Sequence, residues 1–111
     1  MMDMNPKEIF RFDVGMLEDV PRLGSRCVKT AQGHVAIFRT SDDQLFALRD
    51  ECPHRGAPLS QGIVHGTSVT CPLHNWVVSL QTGAVDAPDE GRVETLDVRL
   101  ENERIILTVL P

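Results

Sequence analysis

Apolar residues along this chain come in short runs that alternate with polar ones, and turn-forming residues separate the runs. Ile9 to Val14 (IFRFDV) predicts a first strand, and Cys27 to Thr30 (CVKT) a second that ends near Gln32-Gly33. His34 to Thr40 (HVAIFRT) is rich in β-formers. Asp42-Asp43 then marks a turn, and Gln44 to Arg49 (QLFALR) reads as the hairpin partner. Near the C-terminal end, Val93 to Leu100 alternates, with Leu96, Val98 and Leu100 on one face. Glu101-Asn102-Glu103 turns the chain, and Arg104 to Leu110 (RIILTVL) returns as the last strand. No long stretch repeats its apolar residues at helical spacing between caps, so helix content is predicted to be low. Residues 15–24 (GMLEDVPRLG) hold the one short helical turn expected, limited by Pro21.

Residues 51–91 break the pattern. They hold 4 of the 7 prolines and 5 of the 8 glycines, residue types that fix tight loops. This stretch reads as a loop-rich subdomain inserted into a β-framework. The expected fold class is all-β. A length of 111 residues predicts one domain over 1–111. Such a chain buries roughly two-thirds of its unfolded surface, enough for a modest core.

Charge and cysteine usage narrow the function. A formal net charge of −5 argues against nucleic acid as a partner, because phosphate binding needs a basic surface. The N-terminal residues lack the basic-then-apolar pattern of a signal peptide, and no apolar run approaches membrane-spanning length. The expectation is therefore a soluble, cytoplasmic protein without a membrane partner. The 3 cysteines, at positions 27, 52 and 71, do not suit a disulfide framework.

Two of those cysteines stand beside histidines in loops of similar character: Cys52-Pro53-His54 and Cys71-Pro72-Leu73-His74. In a [2Fe–2S] cluster with one iron on two thiolates and the other on two imidazoles, each loop can give one ligand to each iron. Two ferric ions, two sulfides and four thiolates would carry a net charge of −2; exchanging two thiolates for neutral imidazoles leaves 0. A less negative cluster accepts an electron more readily, which places such centres at about −150 to +300 mV. The rival reading is zinc, for which Cys2His2 is a common set. Zinc sites, however, usually pair Cys with Cys and His with His, and C-x-H is a tight bite for one tetrahedral ion.

The C-x-H…C-x2-H pattern resembles the Rieske ferredoxin family. The fuller stretch CPHRGAPLSQGIVHGTSVTCPLHNWVVSLQTGAVDAPDEG, residues 52–91, is similar to the small subunit of assimilatory NAD(P)H-dependent nitrite reductase, above all in GTSVTCPLHNW. LEDVPRLGSRCV (residues 17–28) and the closing hairpin fit more loosely. The resemblance implies a Rieske domain, antiparallel sheets in a sandwich or partly open barrel with the cluster loops at one tip, and a Rieske-type [2Fe–2S] cofactor on Cys52, His54, Cys71 and His74. It also implies an electron-transfer role in an oxidoreductase that reduces nitrite to ammonium in nitrate assimilation. The partner would be a large subunit carrying FAD, a [4Fe–4S] cluster and siroheme. The chain itself shows no nucleotide-binding glycine motif and no catalytic residue of its own. The alternative is a free Rieske ferredoxin passing electrons to a ring-hydroxylating dioxygenase. High-potential respiratory Rieske proteins add a second cysteine to each loop, and these loops have none.

The remaining residues have blander expectations. Trp76 serves either as a shield for the cluster or as plain core. Asn75 stands where many Rieske ferredoxins have glycine, and tolerates the left-handed backbone region well. His34 and His65 are expected at the surface, and Cys27 as a buried strand residue. Asp86, Asp89, Glu90 and Glu94 are expected to form a solvated acidic face.

Overall fold

A computed structural model describes residues 10–30, 33–52, 57–72, 75–86 and 90–109. The strands are β1 (Phe10–Met16), β2 (Gly24–Thr30), β3 (Gly33–Arg39), β4 (Leu45–Arg49), β5 (Ile63–His65), β6 (Ser68–Thr70), β7 (Val77–Ser79), β8 (Thr95–Glu101) and β9 (Arg104–Val109). Single 3-10 turns occupy Leu17–Asp19 and Leu59–Gln61. Among the described residues there is no α-helix, and no helix long and apolar enough to cross a membrane.

Six strands form one curled antiparallel sheet in the order β1-β9-β8-β4-β3-β2, a half-barrel whose edges are β1 and β2. Local chemistry sets its corners. Between β8 and β9 the two-residue turn Asn102-Glu103 has both residues at positive φ, 53° and 66°. That is the twist a tight antiparallel hairpin needs. Between β3 and β4, the Thr40 N–H donates to the Gln44 carbonyl at 2.9 Å, and Asp43 turns the chain at φ 67°. The Arg39 guanidinium fixes that turn to the rest of the barrel. It donates to Asp43 Oδ1 at 2.9 Å and to the carbonyl oxygens of Leu17 and Val20 at 3.2 and 2.9 Å.

The insert leaves the barrel after β4 and rejoins it at β8. It carries its own antiparallel sheet, β5-β6-β7, which the sequence reading did not anticipate. Each of these strands has three residues (IVH, SVT, VVS), too short for an alternating pattern to show against the surrounding glycines and prolines. Strand β2 also begins at Gly24, three residues before the expected Cys27. Elsewhere the expected strands and the short helical turn are present with ends shifted by one or two residues.

The packing turns on β3. Val35, Ala36, Ile37 and Phe38 are buried in succession. Successive strand side chains point to opposite faces, so an unbroken buried run requires cover on both. Val35 and Ile37 face inward with Ala47, Ile105, Leu107 and Val109, the core of the barrel. Ala36 and Phe38 face the other way, with Leu48, Leu59, Val69 and Val78, the core of the insert. β3 and β4 are thus a wall shared by two cores. Gly83 closes the far side of the insert: at φ 79° it accepts from the Val93 N–H at 2.8 Å, and a Cβ there would run into the Val93 carbonyl oxygen.

Phe38→Ala should therefore cost about 3–5 kcal/mol of unfolding free energy, the usual range for removing a buried aromatic ring. Ile63→Ala, on an exposed side chain of the same insert, should change stability by less than about 0.5 kcal/mol. Urea unfolding of both variants is the measurement; equal effects would mean that the insert does not lean on β3.

Candidate metal centre

Cys52 and Cys71 are 2% and 0% exposed and lie in the same hydrophobic cluster, the core of the insert. Neither is in a disulfide. Each closes its loop by the same hydrogen bond to a residue five positions on. The Cys52 N–H donates to the Ala57 carbonyl at 2.7 Å, and the Cys71 N–H to the Trp76 carbonyl at 2.7 Å. Two loops of equal size thus begin at a buried thiol, and each holds its histidine between the bonded ends, at position 54 in one and 74 in the other. His54 and His74 lie outside the described residues.

Different supports hold the loops. The second is the end of a hairpin: Thr70 pairs with Val77 just outside it, followed by Val69 with Val78 and Ser68 with Ser79. Asn75 turns the chain within it at φ 57°, in the left-handed region expected of it. Trp76 is half-buried against the cluster that contains both cysteines, so its ring covers the insert's core. The first loop leaves the end of β4, which has no partner strand in the insert. There the Asp50 carboxylate, 7% exposed, accepts from the Ser60 N–H and from the Ser60 hydroxyl, both at 2.7 Å. The Ser60 carbonyl in turn accepts from the Ser25 hydroxyl of β2 at 2.5 Å.

The sequence reading missed Asp50 and Ser60. They stand ten residues apart, and only the placement of a 3-10 turn beside the end of β4 brings them together. Other expectations fare unevenly. His34 and His65 are exposed, as expected. Cys27 is exposed rather than inside the sheet, because β2 is an edge strand with no fully buried residue. Its Sγ lies 3.4 Å from His34 Nδ1. Partial desolvation, followed by the Asp50 carboxylate beside it, pushes the Cys27 thiol up to about 11. Asp86, Glu90 and Glu94 are exposed, and Glu94 pairs with Arg49 at 3.0 Å; Asp89 lies outside the described residues. Among the described residues, no group of three or more His, Cys, Asp or Glu side chains could hold a metal ion.

Two buried thiols at the same point of two matched loops, each followed by a histidine, fit a cluster that bridges the loops. The fold and the loops define a Rieske protein. The chain belongs to the Rieske [2Fe-2S] domain family, which it matches over residues 10–97, and its cofactor is a Rieske-type [2Fe–2S] cluster. When bound, that cluster supplies one-electron transfer, so this is a Rieske electron-transfer protein.

Individual relatives come from several systems. The chain is 37% identical over 79 residues to the ferredoxin subunit of anthranilate 1,2-dioxygenase from Burkholderia cepacia, covering 70% of this chain and 72% of that one. Its fold overlays a protein assigned as the small subunit of an NADH-dependent nitrite reductase in Mycobacterium tuberculosis, with TM-score 0.84 and 20% identity over 94% of this chain and 98% of that one. The ferredoxin of carbazole 1,9a-dioxygenase from Nocardioides aromaticivorans overlays with TM-score 0.79 and 24% identity, over 87% and 95% of the two chains. In 4beta-methylsterol monooxygenase of Methylococcus capsulatus the match is 48% over 42 residues, 38% of this chain and only 11% of that enzyme.

Thiol reactivity gives a direct check on the Cys27 environment. A thiol raised to about 11 stays protonated at ordinary pH and gains thiolate only as pH rises through that value. At pH 8.5 its thiolate fraction should be about a hundredfold below that of a free cysteine. In the folded holoprotein, iodoacetamide should label Cys27 slowly at pH 8.5 and far faster near pH 11, read by peptide mass mapping. Labelling at pH 8.5 as fast as in urea would contradict it.

Proposed function

We propose that Cys52, His54, Cys71 and His74 hold the cluster, and that the chain is the Rieske small subunit of a cytoplasmic NAD(P)H-dependent nitrite reductase. The observation that carries the second half is the wording of residues 52–91, above all GTSVTCPLHNW around the second loop. Asn75 belongs to that wording, and its φ of 57° keeps the loop's left-handed turn without glycine. The partner in this reading is the large subunit that binds NAD(P)H and nitrite; this chain binds neither. Its residues do three things. The two thiols and two imidazoles fix the cluster. The insert's apolar core, with Trp76 over it, keeps water from the thiolate side. The loops hold that cluster for electron transfer to the partner.

A second reading rests on the 37% identity with the ferredoxin subunit of anthranilate 1,2-dioxygenase. Here the chain would be a free carrier from a reductase to an oxygenase, with the same ligands and a different partner.

Ligand assignment and partner are tested separately. Cys52→Ser, His54→Ala, Cys71→Ser and His74→Ala should each lose the cluster, while Cys27→Ser, His34→Ala and His65→Ala keep it. Iron and sulfide content is the measure, with the low average-g paramagnetic signal of a mixed Cys/His centre in the reduced protein. One zinc per chain and no iron would reject the assignment. For the partner, the purified chain should co-elute with a nitrite reductase large subunit and be needed for full nitrite-dependent NAD(P)H oxidation. Failure there, together with support of ring dihydroxylation by a dioxygenase and its reductase, would establish the carrier reading instead.

A further inference from the structure

The two cluster loops share one closing hydrogen bond, but only the second is backed by a strand ladder. Three successive pairs, Thr70 with Val77, Val69 with Val78 and Ser68 with Ser79, align the two sides of that loop. Register there follows from backbone pairing, which many side chains allow. The first loop has no such ladder: β4 ends at Arg49, and the chain returns through the 3-10 turn Leu59–Gln61. Asp50 and Ser60 lie on the two sides of this loop, one residue out of the register a strand pair would take, and meet through the Asp50 side chain instead of backbone pairing.

We propose that Asp50 is the positioning residue of the first cluster loop, its carboxylate standing in for the strand pairing that the loop lacks. Asp50 precedes Cys52 by two residues, and Ser60 follows the loop-closing Ala57 by three. Both Asp50 oxygens are engaged, Oδ1 by the Ser60 N–H and Oδ2 by the Ser60 hydroxyl, each at 2.7 Å. Bidentate acceptance by an ionised group is short, directional and stronger than a neutral hydrogen bond. It operates here largely out of water, where screening is weak. Both anchors are themselves tied to the barrel wall. The Asp50 N–H donates to the His34 carbonyl of β3 at 3.0 Å, and the Ser60 carbonyl accepts from Ser25 of β2 at 2.5 Å. The clamp therefore fixes the loop's width and also its place against the sheet. Cys52, inside the clamp, is held where it can meet Cys71 in the same apolar cluster. With the clamp gone, the Cys52 N–H to Ala57 bond remains, but the loop can tilt as a body, and Cys52 and His54 move relative to the second loop.

This inference rests on Cys52 and His54 being cluster ligands and is independent of which partner the chain serves. It is tested on the holoprotein with Asp50→Ala, Asp50→Asn, Ser60→Ala and a barrel-core control, Ile105→Val. Cluster release to an iron chelator is followed at a temperature where every variant stays folded, together with the paramagnetic spectrum of the reduced protein. Asp50→Ala should release the cluster at least about tenfold faster than wild type, with broadened or shifted g-values, since two charge-assisted hydrogen bonds are lost. Asp50→Asn should restore much of the wild-type rate, because its amide can accept from the Ser60 N–H and donate to the Ser60 hydroxyl. Ser60→Ala, which keeps the N–H bond alone, should fall between. Ile105→Val should leave release rate and spectrum unchanged. If Asp50→Ala does not fold, the order wild type, Asp50→Asn and Ser60→Ala in release rate decides, and equal rates overturn the proposal. Wild-type behaviour in Asp50→Ala, or equal acceleration by Ile105→Val, also overturns it. A wild-type protein without the Rieske signal would overturn the ligand assignment and the clamp with it.

Discussion

The molecule depends on two strands being covered twice. β3 and β4 give one face to the barrel core and the other to the core of the insert, and among the described residues no other strand carries four consecutive buried residues as β3 does. Among the described residues between β4 and β8 the three strands are three residues long each, well short of the usual strand, and give little apolar face of their own. They acquire a core by borrowing Ala36, Phe38 and Leu48 from the back of the barrel. Cys52 and Cys71 sit in that borrowed core, buried because the sheet behind them is hydrophobic on both faces. The barrel gains as well, since the outer face of β3 would otherwise expose Phe38.

Much of this architecture was legible as pattern. Strands of five to seven residues declare themselves by β-branched and aromatic content and by the turns that bound them, as in HVAIFRT and RIILTVL. The sequence reading of Val35–Phe38 is a strand only, without the double cover that its four buried residues require. A continuous apolar strand means two covered faces, although what covers the second face is a matter of topology. The insert's own strands were not legible. At three residues each, they are defined by their partners: Ile63 pairs with Thr70 and Thr70 with Val77, yet Ile63 itself is among the most exposed apolar side chains. Cys27 misled for a related reason. A cysteine in a β-forming run is usually inside, but edge position, which no local pattern reveals, left it at the surface.

The site divides along the same line. The ligand candidates are written in residue type and spacing, because metal–ligand chemistry admits few side chains, and the two loops announce themselves by repeating Cys-Pro before His. What holds the loops apart at the right width is not written there. The second loop is held by backbone pairing, a support spread over three residue pairs and indifferent to most substitutions on its outer face. The first reaches the same closing bond through one carboxylate and one serine. A distributed support leaves little trace at any one position, whereas a concentrated one leaves its trace at a residue that looks, in sequence, like any surface aspartate. Asp50 is distinguished only by burial, and burial is a property of the fold. The two loops are therefore alike in their closing bond and unequal in fragility. The loop that leaves the barrel wall is the one whose alignment a single side chain can undo.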